Sequence, residues 1–313
     1  MEFKEFKSIQ DLLQAFPDEQ TCIDHLTAIR WGGKVISPFD ENSKVYVCPK
    51  NRYKCSATNK YFNVRTGTIF EDTKMPLQKW FLAIYISSSH KKGISSHQLA
   101  RDLDITQKSA WFMLHRIRYA MSHPNYKKVM ENEVEMDETY LGGKDKNKHL
   151  NKRGGGSGRG SIGRNTDDKA PVFGMVERGG DVQAYHVENT KKQLLVPHID
   201  RSVKPDTIVY TDEYYAYQDL GQKYKHYTIK HSLKKYVDGR VHTNTIEGFW
   251  SLLKRGIYGI YHQVSKKHLQ AYLDEFAFRY NSRQVSTQFR FNVALSTCDR
   301  RLKYNNLISN EKH

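Results

Sequence analysis

Cysteine is scarce: four residues in 313, at positions 22, 48, 55 and 298. Thiols so few and so widely spaced exclude a disulfide framework. Long apolar runs are missing too. No stretch approaches the roughly eighteen consecutive apolar residues of a membrane-spanning helix. The opening MEFKEFKSIQDLLQAF lacks the apolar stretch of a secretory signal, so a cytoplasmic protein with no membrane partner is expected. Acidic residues are the third shortage: 34 Asp and Glu against 50 Lys and Arg, a formal charge of +16. That excess calls for an acidic partner, most simply nucleic acid, and with it association with the nucleoid. A generally basic soluble protein is the bland alternative.

Four segments follow from the patterning. Residues 1–72 read as an N-terminal helix, SIQDLLQAF, capped by Ser8, with Ile9, Leu12, Leu13 and Phe16 on one face. After it come the β-like runs KVYVC, RYKC and KYFNV. Hairpin strands with Cys near the turns suggest a zinc ribbon, which needs two C-x-x-C knuckles. ISPF (36–39) has no Cys and Cys55 has no second Cys after it, so zinc is not expected and the hairpin should persist without metal. Residues 73–128 read as helical, with a helix-turn-helix at about 93–122. There Asp104-Ile105-Thr106 makes the turn, and Ala110, Met113, Leu114 and Ile117 form the inner face of the second helix. That helix would offer Gln107, Lys108 and Trp111 to a major groove, and Arg116 and Arg118 to phosphates; a plain helical hairpin is the alternative.

Residues 129–285 alternate strands and helices, which predicts an α/β unit with a mixed sheet; 286–313 is left as a C-terminal tail. A Gly-rich basic insertion, 142–169, interrupts the α/β pattern. Its GRGSIG follows no strand and opens no helix, so it is not a dinucleotide fingerprint. Lys152, Arg153, Arg159 and Arg164 in this insertion suit a phosphate backbone, the alternative being a disordered linker.

Three carboxylates stand out by position: Asp137 within the strand EVEMDETYL, Asp212 at the end of the strand DTIVYTD, and Glu247 in HTNTIEGFWSLLKR. As a helix the last segment lines up Ile246, Phe249, Trp250 and Leu253 as a buried stripe. Glu247 and Lys254 lie two turns apart on its margin. Each acid has a structural alternative: an ion pair for Asp137, a helix cap for Asp212, a salt bridge to Lys254 or Arg255 for Glu247. Acids at two strand ends and one helix can converge at one edge of an α/β sheet. Such a cluster suits Mg²⁺ or Mn²⁺ acting as a pair in phosphoryl transfer. Glu138 and Glu213 are rival ligands, but strand alternation sends Glu138 to the face opposite Asp137.

EVEMDETYLGGK, the Gly-rich loop, PVFGMVERGG, VYTDEYYAY, HTNTIEGFW and FRYNSR, in this order, resemble the DDE-type transposases of bacterial insertion sequences, in the branch related to eukaryotic Merlin elements. The resemblance extends upstream through GTIFEDTKMPLQKWFLAIY. It implies an RNase H-like catalytic domain, two divalent ions, double-stranded DNA as partner, strand cleavage and transfer, and a homodimer on synapsis. Asp137, Asp212 and Glu247 fall on the triad positions and Lys254 on the basic position after the Glu; Asn244 is a minor rival to Glu247. The missing ribbon Cys are a departure from the family. A DNA-binding regulator with a silent catalytic domain, or a nuclease without strand transfer, are the alternatives.

Overall fold

A computed structural model describes residues 6–142, 169–229 and 242–309, and the chain divides into two compact units: Met1–His123 with Gln284–His313, and Pro124–Arg283.

The first unit opens with α1 (Ile9–Ala15). Ser8 Oγ accepts from Asp11 N at 3.1 Å and the Asp11 carboxylate accepts from Ser8 N at 3.1 Å, a reciprocal cap. The buried face is narrower than expected: Leu12 and Phe16 are inside, whereas Ile9 and Leu13 are exposed. A second helix, not expected from the sequence, is α2 (Glu19–Trp31), which starts at the Asp18 cap. Strands β1 (Val45–Cys48), β2 (Arg52–Cys55) and β3 (Tyr61–Phe62) form an antiparallel sheet. Helices α3 (Leu77–Ser89), α4 (Ser96–Leu103) and α5 (Gln107–Met121) follow. Asp104 turns the chain between α4 and α5 in a left-handed conformation (φ 49°), and Thr106 caps α5. Ala110, Met113, Leu114 and Ile117 are buried, as their spacing requires.

The second unit is a five-stranded mixed sheet. Its strands are β4 (Glu133–Leu141), β5 (Ala170–Glu177), β6 (Val182–His186), β7 (Ile208–Thr211) and β8 (Lys225–Thr228), in the order β6-β5-β4-β7-β8. The first three are antiparallel neighbours, and β7 and β8 run parallel to β4. Helix α6 (Lys192–Ser202) covers one face, where Val134, Met136, Leu195, Ile199 and Tyr217 pack together. Helices α7 (Asn244–Gly256) and α8 (Leu269–Asn281) cover the other, through Ile246, Phe249, Trp250, Leu253 and Phe276. The stripe expected from the spacing is thus the one α7 buries.

The last helices, α9 (Thr287–Ser296) and α10 (Tyr304–Ile308), belong to the first unit. The expected tail is core: Phe291 is fully buried, in ring contact with Phe6, Phe16 and Phe81. Ten residues of weak periodicity do not announce partners more than two hundred positions upstream. Among the described residues no helix is long and apolar enough to cross a membrane.

Candidate active site

Asp137 sits in the middle of β4, on the face covered by α7. Its Oδ2 accepts from the indole Nε1 of Trp250 at 2.9 Å. Opposite Asp137 in the ladder stands Gly174 of β5. A Cβ built on Gly174 would lie 2.4 Å from Trp250 Cη2 and 2.6 Å from its Cζ2. Glycine is what lets the indole lie against the sheet and reach the acid. Burial pushes the Asp137 carboxyl up to about 6. The Trp250 bond and a backbone N–H oppose that shift; the charges of Asp212 and Glu247 add to it.

Asp212 follows the last residue of β7, beside β4, and its Oδ1 accepts from Tyr214 N at 3.0 Å. Glu138 faces the opposite side of β4, as alternation requires, and accepts a hydrogen bond from the buried Tyr217 hydroxyl. Burial pushes Glu138 up to about 8, against the Tyr217 bond and with help from Asp137 and Asp212. Glu247 is exposed in the first turn of α7, with Thr243 Oγ1 donating to it at 3.4 Å. Lys254, in the last turn, is half-buried. Burial lowers its pKa; Asp137 raises it, and the neighbouring Lys169 lowers it. Lys254 therefore lies within the field of Asp137.

The donor chemistry fits a hard divalent cation. Every acid here offers carboxylate oxygen, and the cost that burial places on the Asp137 charge is one a cation offsets. Mg²⁺ is commonly held by one or two carboxylates plus substrate phosphates, a role open to Asp137 and Asp212. Among the described residues no three Asp, Glu, His or Cys side chains cage an ion on their own.

Sequence reasoning missed Glu135. It lies two residues before Asp137 on the same face of β4, fully buried. Its carboxylate accepts from Thr245 N (2.7 Å), Ile246 N (3.0 Å) and Thr245 Oγ1 (2.8 Å), the free donors at the start of α7. Arg178 Nε donates to it at 2.7 Å, and the same guanidinium reaches Glu133 and the carbonyl of His242. The strand that carries Asp137 thus docks the helix that carries Glu247. The local signal was the alternation of Glu133, Glu135 and Asp137 with the apolar Val134 and Met136 of the other face.

Of the residues expected to meet DNA, Gln107 and Lys108 are exposed in the first turn of α5, with Gln107 donating to Ser96 Oγ at 2.8 Å. Arg116 and Arg118 do not match their expected role, since both are buried. The Arg116 guanidinium donates to the carbonyls of Ile69, Glu71 and Leu302 at 2.7–3.1 Å and so ties chain segments together instead of facing phosphates. Every side chain from Met113 to Arg118 is inside, so α5 has no solvent face at this level. Lys152, Arg153, Arg159 and Arg164 lie outside the described residues.

Asp137 and Asp212 thus come from neighbouring strands of a mixed sheet, and Glu247 from the helix packed over it. Residues 129–281 match the family described as the ISXO2-like transposase domain. The chain is 31% identical over 279 residues to an uncharacterized protein in transposable element ISH50 of Halobacterium salinarum, covering 85% of this chain and 92% of that one. It is 33% identical over 103 residues to an uncharacterized transposase-like protein of Haemophilus influenzae, covering 33% of this chain and 82% of the relative. Among solved structures, the Mos1 Strand Transfer Complex aligns over 59% of this chain and 71% of its own, at 11% identity and a TM-score of 0.25. The chain belongs to the ISXO2-like family of DDE-type insertion-sequence transposases.

Proposed function

We propose that the protein binds the ends of its own insertion sequence as double-stranded DNA, cuts them at Asp137, Asp212 and Glu247, and joins them to target DNA. The observation that carries this reading is geometric: Asp137 on β4 accepts from Trp250 Nε1 of α7 at 2.9 Å, with Asp212 at the end of the neighbouring strand β7 and Glu247 in the first turn of α7. The strand order, three antiparallel neighbours followed by two parallel strands, supports an RNase H-like catalytic domain.

Two divalent ions, Mg²⁺ or Mn²⁺, would supply charge stabilisation for the attacking and leaving oxygens of an in-line displacement. Asp137 and Asp212 would hold them from the sheet, and Glu247 would close the site from α7. The Trp250 indole holds the Asp137 carboxylate through its N–H. Lys254 would hold a phosphate oxygen next to the scissile one. End recognition is assigned to α4 and α5 acting as a helix-turn-helix, with Gln107 and Lys108 at the groove, and synapsis of two ends calls for a homodimer.

The test is cleavage and joining of duplexes carrying the DNA that flanks this gene. Removing a charge-assisted hydrogen bond to phosphate, roughly 1.5–3 kcal/mol, lowers the rate by about one to two decades for Lys254→Ala. Glu247→Gln removes a ligand charge and should be far more severe. Equal, mild losses in both would make Glu247 and Lys254 a surface pair and refute their catalytic assignment.

A further inference from the structure

The sheet β1-β2-β3 carries a face that plays no part in the site above. From Asn42 to Phe70 the sequence contains Lys44, Lys50, Arg52, Lys54, Lys60 and Arg65, and no Asp or Glu. The register sets Tyr46 opposite Lys54 and Lys54 opposite Tyr61, so these three form a row across one face. Alternation puts Lys44 and Arg52 on the same side. The other side turns Cys55 and Phe62 inward, with Phe62 against Trp31 and Phe39. Tyr46 and Tyr61 stay open to solvent, at 47% and 55% exposure.

The cations of this face are not neutralised. Among the described residues Lys44, Arg52 and Lys54 make no ion pair, while Arg65 is taken by Glu19. Each lies instead over a ring: Lys44 over Tyr46 at 5.2 Å, and Arg52 and Lys54 over Tyr61 at 5.3 and 5.8 Å. Such contacts orient a cation without cancelling its charge. Of the two acids just before this stretch, Asp40 is engaged in its own loop, accepting from Asn42 N at 3.0 Å, and Glu41 is exposed and makes no ion pair among the described residues.

We propose that this face binds the phosphate backbone of duplex DNA, adding affinity without reading sequence. This rests on the reading of the chain as a DNA-processing enzyme. The rings already carry the sheet's own cations, which disfavours stacking of unpaired bases and leaves the charged groups to meet phosphates. Lys44, Arg52 and Lys54 spread positive charge along one face, which suits the backbone; reading of a guanine edge by Arg52 or Lys54 would instead show as a loss confined to one duplex.

The experiment measures binding of the full chain to two duplexes, one with an element end and one of random sequence, across a salt series. Each phosphate no longer neutralised takes about 0.9 from the slope of log K against log salt. Replacing Lys44, Arg52 and Lys54 together by Gln should therefore reduce the slope by about 2 to 3 and weaken both duplexes by the same factor. Arg52→Lys with Lys54→Arg should keep the wild-type slope. Circular dichroism checks the fold, and the single reversal Arg52→Glu, at an exposed position, serves if the triple variant does not fold. Wild-type binding with an unchanged slope in the folded variants overturns the proposal and leaves an acidic protein as the partner this face fits. A loss confined to the end-bearing duplex also overturns it. A wild-type chain that binds neither duplex overturns the DNA-processing reading, and this proposal with it.

Discussion

Asp137→Asn should make the metal-free protein more stable. Burial lifts the Asp137 carboxyl from 3.8 to about 6. A native value above the unfolded one means that the folded chain holds this proton more tightly. Its contribution is fully present below about pH 4 and is lost as pH rises through about 6. The difference is about 2 pH units at about 1.4 kcal/mol each, so the charged form costs the apo fold roughly 3 kcal/mol at neutral pH. Asparagine removes the charge and keeps an oxygen for Trp250, at the expense of burying an amide, so a gain of about 2 kcal/mol is a reasonable expectation. For a unit of this size that raises the melting temperature by roughly 4–8 °C. The assay is thermal unfolding followed by circular dichroism, with chelator present, from pH 4 to 8. The gap between variant and wild type should open as pH rises and close toward pH 4. A saturating divalent cation should narrow it at neutral pH by stabilising the wild type alone. Identical melting at pH 7.5 in chelator would refute the claim that this acid is held against its solvation preference for the sake of a cation.

Gly174→Ala places a methyl group in the Trp250 indole; overpacking of this kind costs about 1–3 kcal/mol, and end cleavage should fall with it. Wild-type melting and cleavage in that variant would show that the indole has room to move. Glu135→Gln leaves Arg178 with a buried charge less well paired and should cost about 3 kcal/mol or more in urea unfolding. Adding Arg178→Gln should recover part of that loss, and no recovery would mean that Glu135 acts through the α7 backbone alone.

The helix α7 was legible because its buried stripe is wide and regular, and Glu247 and Lys254 at its margin were unusual for a solvent face. Asp137 and Asp212 stood out as acids within or ending apolar strands. What stayed hidden was long-range. Gly174 looks like any strand glycine until Trp250, far along the chain, is found against it. Glu135 reads as a surface residue of an alternating strand until the start of α7 arrives to be capped. Arg116 and Arg118 were misjudged for a related reason. A guanidinium in a basic protein suggests a phosphate, but carbonyls of distant segments satisfy Arg116 inside the fold. The helix at 287–296 shows the same limit, since its partners Phe6, Phe16 and Phe81 come from the other end of the chain.

The proposed division of labour puts chemistry in the acids of the α/β unit and DNA affinity elsewhere. It is tested most directly by measuring end binding and end cleavage side by side for wild type, Asp137→Ala and Asp212→Ala, with Mg²⁺ and with chelator. The expected result is end affinity close to wild type in all three proteins, and cleavage only in the wild type with Mg²⁺. Cleavage near the wild-type rate in either variant, or cleavage by the wild type in chelator, would contradict it.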